Sequence, residues 1–225
     1  MRRMMPYLLA ALLFTSLTSY LIAKPITPPE STQTKAQIQL YHNSGQYDRE
    51  INAVVDRASV YINKQVELNR HRAHPKKLAI VFDIDETTLS NYAVLKNGGV
   101  SGRSPKIYQH ILKGIDPALK PALKLYQQAK KDGVSIFFVT GRRTRICALT
   151  KLNLKHAGYT TWRGLYCRPQ NDTSHSVSPF KSRMRKAITQ QGYLIVANMG
   201  DQKSDLSGGY AKKEYKMPNP FYYLP

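Results

Sequence analysis

The chain has 225 residues and a formal net charge of +20 at pH 7, from 34 lysines and arginines against 14 aspartates and glutamates. This length suits one medium-sized domain with a full hydrophobic core, and the sequence contains no internal repeat or long low-complexity tract. The basic excess attracts polyanions. However, the basic residues are scattered and accompany no nucleic-acid-binding motif, so no specific nucleic-acid partner is predicted.

Residues 1–23 have the pattern of a secretory signal peptide. Arg2 and Arg3 precede a mostly apolar stretch that ends at the small residue Ala23. The stretch is short and interrupted by Thr and Ser, which argues against a stable membrane span. The sequence therefore predicts an exported protein, periplasmic or secreted, with no transmembrane span after signal cleavage; an uncleaved anchor is the alternative. The proline-rich residues 24–34 predict a flexible leader.

The remaining residues, 35–225, are predicted to form a single domain. Apolar residues at helical spacing between Ile51 and Ile62 predict that residues 35–75 form an N-terminal helical layer. Residues 92–120 are predicted to form a small cap, since they directly follow the first core strand and are rich in Gly, Ser and Lys. Tyr92 and Tyr108 within them are candidates for stacking on a nucleoside or another aromatic group; the alternative is that at least one of them packs the cap.

The core itself alternates predicted strands with predicted helices. Apolar runs at residues 78–82, 134–140 and 194–197 predict strands, and helices are predicted at residues 121–132 and from Phe180 to Gln191. This alternation predicts an α/β fold with a parallel sheet flanked by helices.

Polar residues follow three of the predicted strands. Asp83 and Asp85 end the first, Thr140 and Gly141 end the second, and Asp201 follows the last, with Asp205 four residues on. Lys181 lies near the start of a predicted helix. Two carboxylates at the end of a buried strand are costly unless a cation or a reaction compensates their charge.

The ordered set of these motifs resembles the haloacid dehalogenase (HAD) superfamily of phosphohydrolases, with its Rossmann-like core. The run from Phe82 to Asn91, the connecting region at residues 150–165 and the C-terminal run from Lys216 to Tyr223 are similar to the class B-type (subfamily IIIB) acid phosphatases. That group contains plant acid phosphatases, vegetative storage proteins and bacterial secreted relatives. The resemblance covers about residues 45–225.

The resemblance implies a phosphomonoester hydrolase that forms an aspartyl-phosphate. In it, Asp83 is the predicted nucleophile and Asp85 the predicted general acid and base. Lys181 would neutralise charge on the transferring phosphoryl group, and Thr140 would donate its hydroxyl to a phosphoryl oxygen. Arg142 either binds phosphate or supports its loop.

The predicted cofactor is Mg²⁺, held by Asp83, Asp201, substrate and water oxygens, and, through its backbone carbonyl, Asp85. Asp205 is predicted as an outer-shell partner or a second metal contact. The expected substrate is a small-molecule phosphomonoester, with nucleotides among the candidates. The sequence carries no signal for an oligomeric state.

Three functional alternatives stay open at this point, one of which is a basic module that binds the cell envelope or nucleic acid. A phosphotransferase would use the same residues and pass the phosphoryl group to an alcohol instead of water. A catalytically weak storage or binding protein is disfavoured, because Asp83, Asp85, Lys181, Asp201 and Asp205 are all retained.

Cys147 and Cys167 are the only cysteines. In an oxidising compartment they would pair, and otherwise they would be two buried thiols. No histidine lies at ligand spacing from either, so a zinc site is not expected.

Overall fold

The computed structural model describes residues 34–97 and 104–224. The predicted signal peptide, nearly all of the predicted leader and residues 98–103 of the predicted cap lie outside them. The helices are α1 (Lys35–Asn43), α2 (Gln46–Arg70), α3 (Tyr92–Leu95), α4 (Pro105–Ile111), α5 (Lys120–Lys131), α6 (Cys147–His156), α7 (Ser178–Gln190) and α8 (Lys203–Leu206). The strands are β1 (Lys77–Phe82), β2 (Ser135–Arg143), β3 (Gly164–Arg168), β4 (Tyr193–Gly200) and β5 (Glu214–Lys216).

The five strands form one parallel sheet in the order β3-β2-β1-β4-β5. β1 is the central strand and pairs with β2 on one side and β4 on the other. The predicted α/β fold with a parallel sheet flanked by helices is therefore confirmed. Because the chain passes to opposite sides of β1, the carboxyl ends of β1, β2 and β4 border one crevice, the usual ligand position in such sheets.

Both faces of the sheet are buried, which explains the nearly continuous apolar runs of its strands. Ile80 and Phe82 of β1 face the larger core, with α2 and α5. The alternating residue Val81 faces the other side, where it packs with Phe180 and Ile188 of α7. Each fully buried side chain of this size contributes about 1.5–3 kcal/mol to folding, so the strand that precedes Asp83 is firmly anchored.

The N-terminal helices pack on the face of the sheet that α5 also covers. α1 begins with a capping box between Thr34 and Gln37, and α2 buries a stripe of apolar residues against α5 and β4. Tyr47 of this layer contacts the ring of Phe221 near the C-terminus, with ring centroids 5.3 Å apart. The helical layer thus supports the C-terminal segment as well as the sheet.

A disulfide bond joins Cys147 at the start of α6 to Cys167 at the end of β3. It answers the question that the sequence left open, since neither cysteine is a free thiol. The loop that it closes spans 20 residues, and closing a loop of this size contributes about 3 kcal/mol to folding in the chain-entropy model. The segments that it joins both lead into the crevice at the carboxyl end of the sheet.

None of the described helices is both long enough and apolar enough to span a bilayer.

Candidate active site

The carboxyl ends of β1 and β4 bring Asp83 and Asp201 together, and the start of α7 adds Lys181. The Lys181 ammonium donates to Oδ1 of Asp83, and its Nζ lies 2.6 Å from Oδ1 of Asp205. All four side chains are buried, with at most 6% of each residue exposed. The sequence predicted these four residues, and the fold places them within direct reach of one another.

Asp83, Asp201 and Asp205 form a carboxylate cluster. One oxygen from each lies within 4.8 Å of the others. Gly200 makes the cluster possible, because a Cβ at this position would lie 2.3 Å from Cβ of Asp205. Any larger residue at position 200 would therefore require Asp205 or the backbone beside it to shift.

The electrostatics of the cluster are those of an anionic site with too little positive charge. Burial raises the pKa of Asp83 well above its usual range, against the opposing charge of Lys181, and burial raises the pKa of Asp201 to about 7. Burial alone would lower the pKa of Lys181, but Asp205 and Asp83 outweigh it and raise that pKa. The site thus has three carboxylates and one lysine, which contacts Asp83 and Asp205.

A divalent cation fits this donor set. Three buried carboxylates at short mutual distance offer the hard oxygen ligands that such cations prefer. If all three ionise, Lys181 leaves two negative charges uncompensated, which is the charge of one divalent ion. The predicted ligands Asp83, Asp201 and Asp205 therefore lie together, whereas the side chain of Asp85 lies outside their cluster.

Asp85 instead forms an ion pair with Arg142 of β2. Nη2 and Nε of Arg142 lie 2.7 Å and 3.1 Å from Oδ1 and Oδ2 of Asp85, and Nδ2 of Asn91 donates to Oδ1 at 2.8 Å. Burial would raise the pKa of Asp85, but the charge and hydrogen bonds of Arg142 outweigh burial and lower it. Arg142 therefore holds the carboxylate of Asp85 and lowers its pKa.

Arg142 is in turn held by Asp116, which the sequence did not single out. Nη2 of Arg142 lies 3.2 Å from Oδ2 of Asp116, and Nε2 of His110 lies 2.9 Å from Oδ1. Asp116 and His110 belong to the insertion after β1, so this series of side-chain contacts connects the predicted cap to Asp85. The available hint of this role in the sequence is that Asp116 is an acidic residue within a basic, irregular segment.

Thr140 lies at the predicted strand end but is fully buried. Its Oγ1 accepts a hydrogen bond from the backbone N–H of Arg142 at 3.1 Å. It does not line the cavity above the cluster, whereas the adjacent Gly141 does. The position fits the prediction, and the direct donation to a phosphoryl oxygen stays a prediction.

A cavity of about 730 Å³ opens above these groups. Asp83, Asp85, Lys181, Asp201 and Asp205 line its polar part. Its apolar lining includes Ile107, Tyr108 and Ile111 of α4, Ile146 after β2, and Tyr222 and Leu224 near the C-terminus. Tyr92 lies elsewhere, stacked on His42 with ring centroids 3.6 Å apart. Of the two tyrosines named from the sequence, only Tyr108 lines this cavity.

The basic residues near Lys181 differ in what they contact. Arg185 is buried and donates to the backbone carbonyls of Asp205, Ser207 and Gly209, which secures the turn after Asp201. Arg183 is exposed. Lys181 is the member of this basic run that contacts the carboxylate cluster.

A parallel α/β sheet with a buried carboxylate cluster and a lysine at its carboxyl edge defines a hydrolase of the HAD type. A family model described as HAD superfamily, subfamily IIIB (acid phosphatase) matches residues 18–225, and the chain belongs to this family. Its enzyme class is accordingly that of the phosphomonoester hydrolases.

Curated relatives agree with this assignment. The chain is 36% identical over 182 residues to acid phosphatase 1 of Solanum lycopersicum, covering 79% of this chain and 69% of the relative. It is 40% identical over 157 residues to the stem 28 kDa glycoprotein of Glycine max, covering 67% of this chain and 61% of the relative. The match to vegetative storage protein 1 of Arabidopsis thaliana has 32% identity and covers 64% of this chain and 55% of that protein.

Among solved structures, the class C acid phosphatase of Bacillus anthracis has a similar fold. It aligns with a TM-score of 0.61 and 21% sequence identity, over 84% of this chain and 85% of that one. This similarity supports the fold alone.

Proposed function

We propose that this protein is an exported, Mg²⁺-dependent acid phosphatase that hydrolyses small phosphomonoesters through an aspartyl-phosphate on Asp83. The observation that carries the proposal is the position of Asp83. It lies at the floor of a cavity, in contact with Lys181 and within 4.8 Å of Asp201 and Asp205 through carboxylate oxygens.

In the first step, an oxygen of Asp83 attacks phosphorus, and the bond from phosphorus to the ester oxygen breaks. Asp85 gives its proton to the departing alcohol, so the alcohol leaves neutral. In the second step, Asp85 takes a proton from water, and the water oxygen attacks the phosphorus of the aspartyl-phosphate. This releases inorganic phosphate and restores both carboxyl groups.

Lys181 holds Asp83 in place and offers positive charge to the phosphoryl oxygens, where negative charge develops. The hydroxyl of Thr140 and the backbone N–H of Gly141 are the proposed donors on the other side of the phosphoryl group. Arg142 orients the carboxyl group of Asp85 through two of its nitrogen atoms.

Asp83, Asp201, Asp205 and the backbone carbonyl of Asp85 would hold the cation. When bound, Mg²⁺ supplies positive charge that lets an anionic phosphoryl group share a cavity with buried carboxylates. The retention of the whole set argues against a storage role for this chain.

The cavity of about 730 Å³ is larger than a phosphate group needs, so the leaving alcohol can be bulky. Tyr108 and the apolar lining offer a surface for an aromatic group, which supports nucleotides as candidate substrates. Export is supported by the sequence pattern of residues 1–23 and by the disulfide, which persists in oxidising compartments.

Chelation tests the proposal. We expect hydrolysis of p-nitrophenyl phosphate, and of a nucleoside 5′-monophosphate, to be lost in EDTA and to return when excess Mg²⁺ is added. A calcium add-back serves as control, because Ca²⁺ prefers more ligands and longer bonds than Mg²⁺. Full activity after exhaustive chelation would contradict the metal requirement.

Arg142→Gln is expected to change the pH dependence of the reaction. The substitution removes the charge that lowers the pKa of Asp85, so burial raises this pKa. Asp85 then keeps its proton to higher pH, and the limb on which kcat/KM falls with rising pH shifts upward. The measurement is a pH profile of kcat/KM.

Arg145→Gln is the matched control, since Arg145 lines the same cavity but contacts the ring of Tyr108, at 5.0 Å. An alkaline limb that stays in place in Arg142→Gln would show that Asp85 is not the acid that this limb reports.

A further inference from the structure

The C-terminal segment of residues 217–224 borders the site, where Tyr222 and Leu224 line the cavity, and the proposed mechanism gives it no role. It leaves β5 with the backbone N–H of Met217 bonded to the carbonyl of Gly200 at 2.8 Å. The ring of Phe221 packs against Tyr47 and Tyr92, with centroid distances of 5.3 Å and 5.8 Å. The segment is therefore anchored on both the sheet and the helical layer.

Asn219 in this segment contacts Asp201 directly. Its Nδ2 donates to Oδ2 of Asp201 at 2.6 Å. Its Oδ1 accepts from the backbone N–H groups of Phe221 at 2.8 Å and Tyr222 at 3.3 Å. Because the carbonyl end of the amide is occupied by the turn, the NH₂ end has to face Asp201.

The two oxygens of Asp201 have different surroundings as a result. Oδ2 also accepts from Nε2 of Gln202, whereas the donor to Oδ1 is the hydroxyl of Thr87 at 3.3 Å. Gln202 is itself tied to the segment, since its Oε1 accepts from the backbone N–H of Leu224 at 2.8 Å. Two amide donors thus fix one oxygen of Asp201, and Oδ1 retains its capacity for a cation.

We propose that Asn219 is a positioning residue for the metal-binding carboxylate of Asp201, and that the C-terminal segment is a structural part of the metal centre. The inference rests on the proposed Mg²⁺ site. Donors that orient a metal-binding carboxylate raise metal affinity, and their loss typically costs 10–100-fold.

Asn219→Ser separates the two contacts of Asn219. A serine hydroxyl can still accept from the backbone N–H of Phe221 in the turn, but it is too short to donate to Asp201. Asn219→Leu keeps the side-chain size and removes both contacts. Tyr223→Leu is the matched control, because Tyr223 is 58% exposed and lies in the same segment.

The measurement is calorimetric titration of the EDTA-stripped, full chain with MgCl₂ alone, together with Tm in EDTA. We expect the Kd for Mg²⁺ to rise about 10–100-fold in Asn219→Ser and in Asn219→Leu. We expect Tm in EDTA to fall only in Asn219→Leu, and Tyr223→Leu to match the wild type. At saturating Mg²⁺, kcat of Asn219→Ser should return close to the wild-type value.

A wild-type Kd in Asn219→Ser would overturn this inference and leave the proposed function intact. If Asn219→Leu lowers Tm in EDTA but leaves the Kd for Mg²⁺ unchanged, the inference is overturned as well, because Asn219 would then only stabilise the turn. Failure of the wild type to bind Mg²⁺ would overturn both proposals. Should Asn219→Ser not fold, Asn219→Thr is titrated under the same criteria.

Discussion

Asp83→Asn is expected to lower kcat for phosphomonoester hydrolysis by about 10⁴-fold or more, the scale seen when a covalent catalyst loses its nucleophile. An amide of the same shape keeps the contacts around position 83 but cannot attack phosphorus. The measurement is steady-state hydrolysis of p-nitrophenyl phosphate at saturating Mg²⁺, with acid-quench detection of phosphoenzyme in the wild type.

Stability provides the control for this variant. Lys181 keeps its ion pair with Asp205, and one buried negative charge is removed from the cluster. We therefore expect the free energy of unfolding in EDTA to stay the same or to rise. Retention of more than about one hundredth of the wild-type kcat in a folded Asp83→Asn would exclude Asp83 as the nucleophile.

Lys181→Met is expected to lower kcat by about 10²–10³-fold, the usual effect of losing one donor to developing charge. It also leaves the buried carboxylates of Asp83 and Asp205 without the cation that pairs with both of them. Breaking a buried ion pair typically costs about 3–5 kcal/mol, so we expect a lower free energy of unfolding in EDTA, partly restored by Mg²⁺.

Arg183→Met is the matched control, since Arg183 is a basic residue on the same helix but is exposed. It should retain wild-type activity and stability. Equal effects of the two substitutions would mean that α7 provides general positive charge and that Lys181 has no special position.

The sequence allowed the sheet and much of the carboxylate cluster to be predicted, because both depend on local signals. Apolar runs that end in Asp83 and in Asp201 mark strands whose carboxyl ends meet in any parallel sheet. Lys181 was separable from Arg183 and Arg185 only through the family resemblance, since all three belong to one basic helix.

The partners of these residues were not predictable in the same way. Asp116 contacts Arg142 from the insertion after β1, and Asn219 contacts Asp201 from the C-terminal segment. Such contacts depend on how distant segments pack, which neither spacing nor periodicity encodes. The ion pair between Arg142 and Asp85 is the clearest case, because the sequence suggested only phosphate or loop contacts for Arg142.

The central position of β1 has a consequence for how this chain acquires its structure. Residues 77–82 need β2, from residue 135 onward, on one side and β4, from residue 193 onward, on the other. Such non-local pairing slows folding, since long loops must close before contacts form. Until then, the apolar run from Leu78 to Phe82 has unpaired edges that invite aggregation. Refolding yield should therefore fall steeply as protein concentration rises.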